Sequence, residues 1–269
     1  MADIKKVIYT CITGEYDDAC EHVCVDDTWD YVMFTDNQYL LGMPRYKHWE
    51  IRPLQYNKLT NVKNARWHKI NAHKLFPEYD VSLWIDGNIV IMKPDFFERI
   101  KSFIKSGDII AIPEHPERNC IYAEAEKIKE LNIDNNNTVN QEIRTLRFTR
   151  YPRNNGLNET CIVLRRHNNK KIRRLQHKWW NKVDRYSKRD QLSYNWAAWR
   201  CKVKTTPMFE NPGQHRQCDE LLFVHKHSHN QNRNSWPDAW VGPRWLVKTL
   251  AFFVPHSTGK RELIQKHTR

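Results

Sequence analysis

Short apolar runs rich in β-branched and aromatic residues alternate along this chain with longer stretches whose apolar positions recur every three or four residues. Lys6–Ile12 is the first such run, and a polar, turn-rich cluster, Thr13-Gly-Glu-Tyr-Asp-Asp18, follows it. A second run, Tyr31–Thr35, stops at Asp36-Asn37, and a third short strand is expected around Trp49–Arg52. From Lys58 to Phe76 the pattern is helical, with Val62, Ala65, Ala72 and Phe76 near one face and Arg66, Lys69 and His73 near another. Pro77 then helps to end it. The stretch SLWIDGNIVI at 82–91 reads as a fourth strand interrupted by Asp86, Gly87 and Asn88. Pro94 opens a helix running to about Lys105, and Asp108–Ile112 is a fifth strand. Strands and helices in this rhythm predict an α/β fold with a mostly parallel central sheet flanked by helices.

The second half is less regular. Ala123–Leu131 reads as a short helix, NIDNNNT after it as a loop, and Thr160–Leu164 as a strand. Ile172, Leu175, Trp179 and Val183 give a basic helix an apolar stripe, and Gln191–Trp199 is a further helix. No internal repeat or low-complexity linker marks a boundary. A single domain over 1–269 is therefore expected, with a decorated C-terminal part from about residue 200.

Composition narrows the function classes. A hydrophobic fraction of 40% with 11 Trp and 11 Tyr excludes a disordered chain. No apolar run approaches the roughly 20 residues that span a bilayer, and the opening MADIKK lacks the apolar core of a signal peptide, so a cytoplasmic location is expected. Seven scattered cysteines without a CxxC pair read as reduced thiols, which makes the sequons at Asn136 and Asn158 accidental. Cys20 and Cys24 alone have metal-like spacing, with no second pair to complete a zinc site. The net charge of +13 is concentrated: residues 141–204 hold 18 Lys and Arg against 4 Asp and Glu. Such a field attracts phosphates on a nucleotide, a nucleic acid, an anionic glycan or a membrane surface, unless it is only a solvated helix face.

The interruption in the fourth strand carries the chemistry. In open α/β sheets, ligands sit beyond the carboxyl ends of the strands. Asp86 and Asn88 are two residues apart and can project the same way, while Gly87 permits a close approach. Together they form an oxygen-donor pair suited to a hard divalent cation, Mn²⁺ or Mg²⁺, that also meets a diphosphate. The plain alternative is an ordinary Asp-Gly turn between two short strands.

Six segments together carry a resemblance: VIYTCITGEYDD, WDYVMFTDN, FPEYDVSLWIDGNIVI, EHPERNCIYAEAE, NNGLNETCIVLRRHN and WWNKVDRYSKRDQLSYNWAAW, spanning roughly residues 7–199. Their order resembles the GT-A fold of nucleotide-sugar glycosyltransferases. More closely, it resembles a glycosyltransferase-like family first catalogued as a domain of unknown function and known from plant cell-wall-related proteins and microbial polysaccharide loci. The resemblance implies a Rossmann-like, GT-A-type sheet and transfer from a nucleotide sugar, with UDP the implied nucleotide, to a glycan or other hydroxyl acceptor. No nucleic acid is then expected as partner, and the basic helix would allow peripheral association with an anionic membrane.

Residue by residue, the resemblance places Asp86 at the first acidic position of the Asp-x-Asp metal motif, with Asn88 replacing the second. A late histidine, His227 of the HKHSHN stretch, is the implied further ligand. Thr10, Thr13 and Tyr16 would meet the base and ribose, with Asp36 as an acceptor. Arg66 and His73 would face the diphosphate, and Asn155 and Gly156 the donor sugar. Asp190 and Gln191 resemble the Asp-Gln pair near the anomeric carbon, and Glu114 is a further catalytic candidate beside His115 and Glu124. Two other readings stand beside this one: a non-catalytic basic module gripping nucleic acid or an anionic polymer, and a degenerate transferase that binds donor without turnover.

Overall fold

The computed structural model describes residues 4–17 and 20–224. In chain order the first half contains β1 (Lys6–Ile12), β2 (Asp30–Thr35), α1 (Gln38–Leu41), β3 (Arg45–Tyr46), β4 (Trp49–Pro53), α2 (Asn61–Ile70), α3 (Ala72–Leu75), β5 (Val81–Ile85) and β6 (Ile89–Ile91). The second half adds α4 (Asp95–Ser106), β7 (Ile110–Ile112), α5 (Ile121–Glu130), α6 (Asn136–Phe148), β8 (Ile162–Arg165), α7 (Lys170–Arg185), α8 (Gln191–Cys201), β9 (Thr206–Pro207) and β10 (Leu221–Phe223).

Eight strands form one sheet in the order β3-β4-β2-β1-β5-β8-β7-β9. The pairs β1–β2, β1–β5, β2–β4 and β7–β9 are parallel, as the strand–helix rhythm predicts. β8 runs against both of its neighbours, pairing Ile85 with Ile162 at one end and Ser82 with Arg165 at the other. This reversal brings the residues before β8 to the edge where β1, β5 and β7 end. The loop after β8 is sent to the opposite edge.

Side chains alternate across β1, so each face meets its own helix layer. Val7, Tyr9 and Cys11 join a core with Ile70, Phe76, Leu175, Trp179 and Tyr194, while Ile8 and Ile12 join Phe96, Phe97, Ile100 and Phe103 of α4. α4 follows the usual rules of helix ends: Asp95 and Glu98 occupy its first turn, Lys105 its last, and Gly107 stops it at φ 78°. The stripe read from α7 is fully buried, with Ile172, Leu175, Trp179 and Val183 all at 0% exposure. Each such side chain contributes about 1.5–3 kcal/mol relative to an exposed one.

Three expectations are corrected. The long helix expected over Lys58–Phe76 breaks at Asn71 (φ −95°, ψ 39°), whose side-chain amide turns back to donate to the Trp67 carbonyl at 3.0 Å. The stretch read as a loop ends inside α6, which begins at Asn136: the Asn135 side chain accepts from the backbone of Asn137 and Thr138, capping a 13-residue helix. The run 82–91 is two strands rather than one, because β6 leaves the main sheet and pairs antiparallel with β10.

α6 buries Glu142 completely, with Oε2 accepting from the Ser187 backbone at 3.3 Å. Burial pushes its carboxyl up from 4.5 to about 8, against the pull of Lys182. The folded chain keeps a proton here that the unfolded chain releases, so stability falls as pH rises from about 4.5 to about 8. The Glu142→Gln variant is therefore expected to gain melting temperature over the parent at pH 8 but not at pH 5. An equal difference at both pH values would instead mean an ionised Glu142 compensated by Lys182.

Candidate active site

The interrupted strand marks the point where the chain crosses between the two sheets. Asp86 follows the last residue of β5 and anchors its N–H on the Cys161 carbonyl at 2.9 Å, while its own carbonyl accepts from Ile89 at 3.0 Å. A Cβ at Gly87 would lie 2.9 Å from both Cγ1 and Cδ1 of Ile12, so the turn sits directly against the end of β1. The side chain of Asp86 accepts from Trp84 Nε1 at 2.7 Å and lies 3.6 Å from Lys69 Nζ, with 29% of it exposed.

Lys69 links this turn to Asp190. Its ammonium is buried, 2.8 Å from Asp190 Oδ2 and within 3.2 Å of the Thr160 hydroxyl, which itself donates to Asp190 Oδ2 at 2.9 Å. Arg66, one turn earlier on α2, places Nε 3.0 Å from Asp190 Oδ1. Asp190 is thus a fully buried carboxylate with cations on both oxygens. Burial alone would raise its pKa, but Arg66, Lys69 and Thr160 outweigh it and hold the group well below the usual carboxylate range. Arg66 is half-buried: desolvation pulls its pKa down, and the field of Asp190, Asp86 and Tyr16 more than restores it. The Asp190 side chain does not cap α8; only its position is that of an N-cap.

The sequence pattern of the TOD1/MUCI70, glycosyltransferase-like domain matches residues 1–229. The chain belongs to that family. The probable hexosyltransferase MUCI70 of Arabidopsis thaliana is 28% identical over 153 residues, covering 53% of this chain and 26% of that protein. The matched stretch is thus about a quarter of the relative's length. Among solved structures, mouse xyloside xylosyltransferase 1 in its apo form is similar at 8% identity and a TM-score of 0.43, covering 76% of this chain and 84% of that one. The apo structure of the bifunctional glycosyltransferase WbbM is similar at 8% identity and a TM-score of 0.49, covering 99% and 52%.

In this family member the other predicted residues fall into three groups. Thr10, Thr13, Tyr16 and Asp36 lie at the end of β1 and β2, beside the turn. The Thr10 hydroxyl is buried without a hydrogen-bond partner, and a Cβ on Gly87 would stand 3.6 Å from it. Thr13 donates to the Asn61 carbonyl at 2.9 Å, and both Asp36 oxygens accept from the Gly14 N–H, at 2.9 and 3.1 Å. Asn88 donates to the Val224 carbonyl at 3.2 Å, and its own carbonyl accepts from the Val224 N–H at 2.7 Å, so it pins β10 to the turn. Its amide nitrogen is committed to that contact, and coordination would fall to Oδ1.

The second group lies beside α8. Gln191 donates to Glu124 Oε1 at 3.2 Å, and Glu124 also takes Arg118 Nε at 2.7 Å. Glu114 reaches this edge through its backbone, bridged to Asn158, which exchanges hydrogen bonds with Asn195 at 3.0 and 2.8 Å. Asn155 and Gly156 are exposed just before it, with Gly156 at φ 82° and its missing Cβ 3.7 Å from Asn195 Nδ2. The third group is His73, which is not brought to the site, and His227. His73 lies beyond the break at Asn71 and bonds Gln176 of α7, because the break ends the helical spacing that put it on the Arg66 face. His227 lies outside the described residues.

Lys69, Trp84 and Thr160 complete the centre, though none was singled out from sequence as a site residue. Glu159, Cys161 and His215 also converge, with ligand atoms within 4.8 Å of one another. Glu159 already accepts from His215 Nε2 at 2.8 Å and, through both of its oxygens, from Nε and Nη2 of Arg216. Burial opposes ionisation of Glu159, but Arg216 and His215 hold its pKa well below the usual range. The group is an ion-pair clasp that ties the segment at 214–216 to the strand entering the site. All seven cysteines are free thiols.

Proposed function

We propose that this chain transfers a sugar from a UDP-linked nucleotide sugar to a hydroxyl of a glycan acceptor. The observation that supports this best is the chain of charges Asp86–Lys69–Asp190–Arg66 at the open edge of the sheet. Family membership supports the reaction class, and the UDP nucleotide rests on the family resemblance alone. The diphosphate would lie over the Asp86–Asn88 turn, where Arg66 offers fixed positive charge to the departing group. The donor set is of the right class for a divalent metal: a carboxylate and an amide oxygen, both hard ligands. Asp86 and Asn88 would hold it, and once bound it would add charge against the diphosphate oxygens.

Asp190 is too weak a base, held so far below the usual range, to take a proton from the acceptor hydroxyl. Its part is electrostatic: a permanent negative charge, held between Arg66 and Lys69, that steadies positive charge developing at the anomeric carbon. Gln191, fixed by Glu124, would orient the same sugar.

Calorimetric titration with UDP, with and without Mn²⁺, tests the placement. Binding is expected to strengthen with Mn²⁺ in the parent, and the gain to vanish in Asp86→Ala. Binding unchanged by either would remove the diphosphate from this turn.

A further inference from the structure

Six of the cations read from the sequence lie toward the end of the molecule opposite the candidate site. Because β8 is reversed, α7 begins near the edge where β5 starts, and α8 runs back from Asp190 to the same end. Lys171, Lys202 and Lys204 line a concavity of about 250 Å³ with Gly107, Ile109, Val203 and Thr206. Asp108 is the one acidic residue of its lining, and its carboxylate accepts from Ser106 Oγ at 2.8 Å. Arg174 and Lys178 of α7 and Arg200 of α8 belong to the same helix pair, and their charge opposes the burial that pushes the Cys201 thiol up.

None of these six cations forms an ion pair with an acidic side chain among the described residues. Helix chemistry does not account for them. Arg200 suits the end of α8, but four of the first five residues of α7 are cationic and its first turn holds no acid, against the dipole that α4 respects. A surface that accumulates unpaired charge at such a cost is complementary to something anionic.

We propose that this end of the α7–α8 pair docks on the anionic headgroups of a lipid membrane. Two observations favour a membrane over nucleic acid. The tryptophans near the patch pack against other side chains: Trp179 is fully buried against Tyr194, Trp180 packs edge-on to Tyr56, and Trp199 packs edge-on to Tyr151 with Arg200 over its ring. The cations come from separate elements, Lys171, Arg174 and Lys178 from α7, Arg200 from the end of α8, and Lys202 and Lys204 from the segment after it, a spread that a broad charged surface engages at once. The patch is set apart from the candidate site, because the 11 residues of α8 separate Cys201 from Asp190 by roughly 16 Å. Docked this way, the candidate site faces solution, beyond the Debye length of about 8 Å at physiological salt. The inference does not depend on the proposed transfer reaction.

Co-sedimentation of the full chain with vesicles of phosphatidylcholine alone, or containing one-third phosphatidylserine, tests it at about 0.15 M salt. Each basic residue near an anionic leaflet is worth about fivefold in partitioning, so the Lys171→Glu/Lys202→Glu/Lys204→Glu variant is expected to lose roughly a hundredfold. The second variant, Arg174→Glu/Lys178→Glu/Arg200→Glu, should lose as much, with circular dichroism confirming that both stay folded. Equal partitioning onto the two vesicle types would overturn the proposal. So would binding retained by both variants, since the residues after 224 are present in every sample. Duplex DNA that competes the chain off the vesicles at equimolar charge would overturn it in favour of nucleic acid.

Discussion

Asp190→Asn is expected to lower the turnover of glycosyl transfer by at least about a hundredfold while leaving UDP binding within a few-fold. The argument is electrostatic. Asparagine keeps the size of the side chain and can still accept from Thr160, but it removes the negative charge that Arg66 and Lys69 hold in place at 3.0 and 2.8 Å. What is lost is therefore stabilisation of positive charge on the sugar. The diphosphate contacts remain.

The pH dependence separates this role from proton transfer. A carboxylate held well below its usual range stays ionised throughout the working range, so it supplies no acid limb to the profile of kcat. Asp190→Asn should lower the profile without changing its shape. Disappearance of a limb in the variant would make Asp190 the base and overturn the electrostatic assignment. The same linkage acts on stability: the contribution of ionised Asp190 is present above its unfolded pKa and is lost as pH falls through the lower folded value.

Lys69→Met is expected to cost about 3 kcal/mol of folding stability, read as a lower urea midpoint at unchanged slope. Methionine matches the length of the lysine stem and fills the buried space, but Asp190 then loses one of its two cations in a site where 4% of its side chain is exposed. Arg66 remains, which keeps the cost toward the lower end of the range for breaking a buried pair. Asp86, more exposed and still bonded to Trp84, adds little. The double variant Lys69→Met/Asp190→Asn should lose less than the sum of the two single losses, because each single change already breaks the same pair. A double variant showing the plain sum of two losses would mean that the pair does not couple.

The sequence made the strands at the site legible, and the depth of the charges much less so. β1 and β2 were readable as short continuous runs of β-branched and aromatic residues, and α7 because its apolar spacing of three to four is kept without a break. A period carries no direction, so the reversal of β8 was hidden, and with it the fact that Thr160 and Asp190 meet. Lys69 lay on the same predicted face as Arg66, yet nothing local distinguishes a buried lysine from a solvated one. Its partners are 17 and 121 residues away. His73 shows the converse: spacing of three and four holds only while the helix holds, and Asn71 ends it. The start of α6 was missed because its asparagines favour loops and caps alike. Glu159 and Arg216, 57 residues apart, illustrate a contact to which sequence spacing gives no clue.

The α7–α8 pair carries a further consequence. Trp179 of α7 donates through Nε1 to the backbone carbonyl of Asp190 at 2.8 Å and packs edge-on to Tyr194 of α8 at 5.0 Å. One seam therefore fixes the carboxylate at one end of the hairpin and the cluster of cations at the other. The two ends should open as a single cooperative unit, so that amide hydrogen exchange in the middle of α7 and of α8 proceeds at one common free energy. Loosening the seam at Trp179 would then release both ends together, although they lie at opposite ends of the sheet's strands.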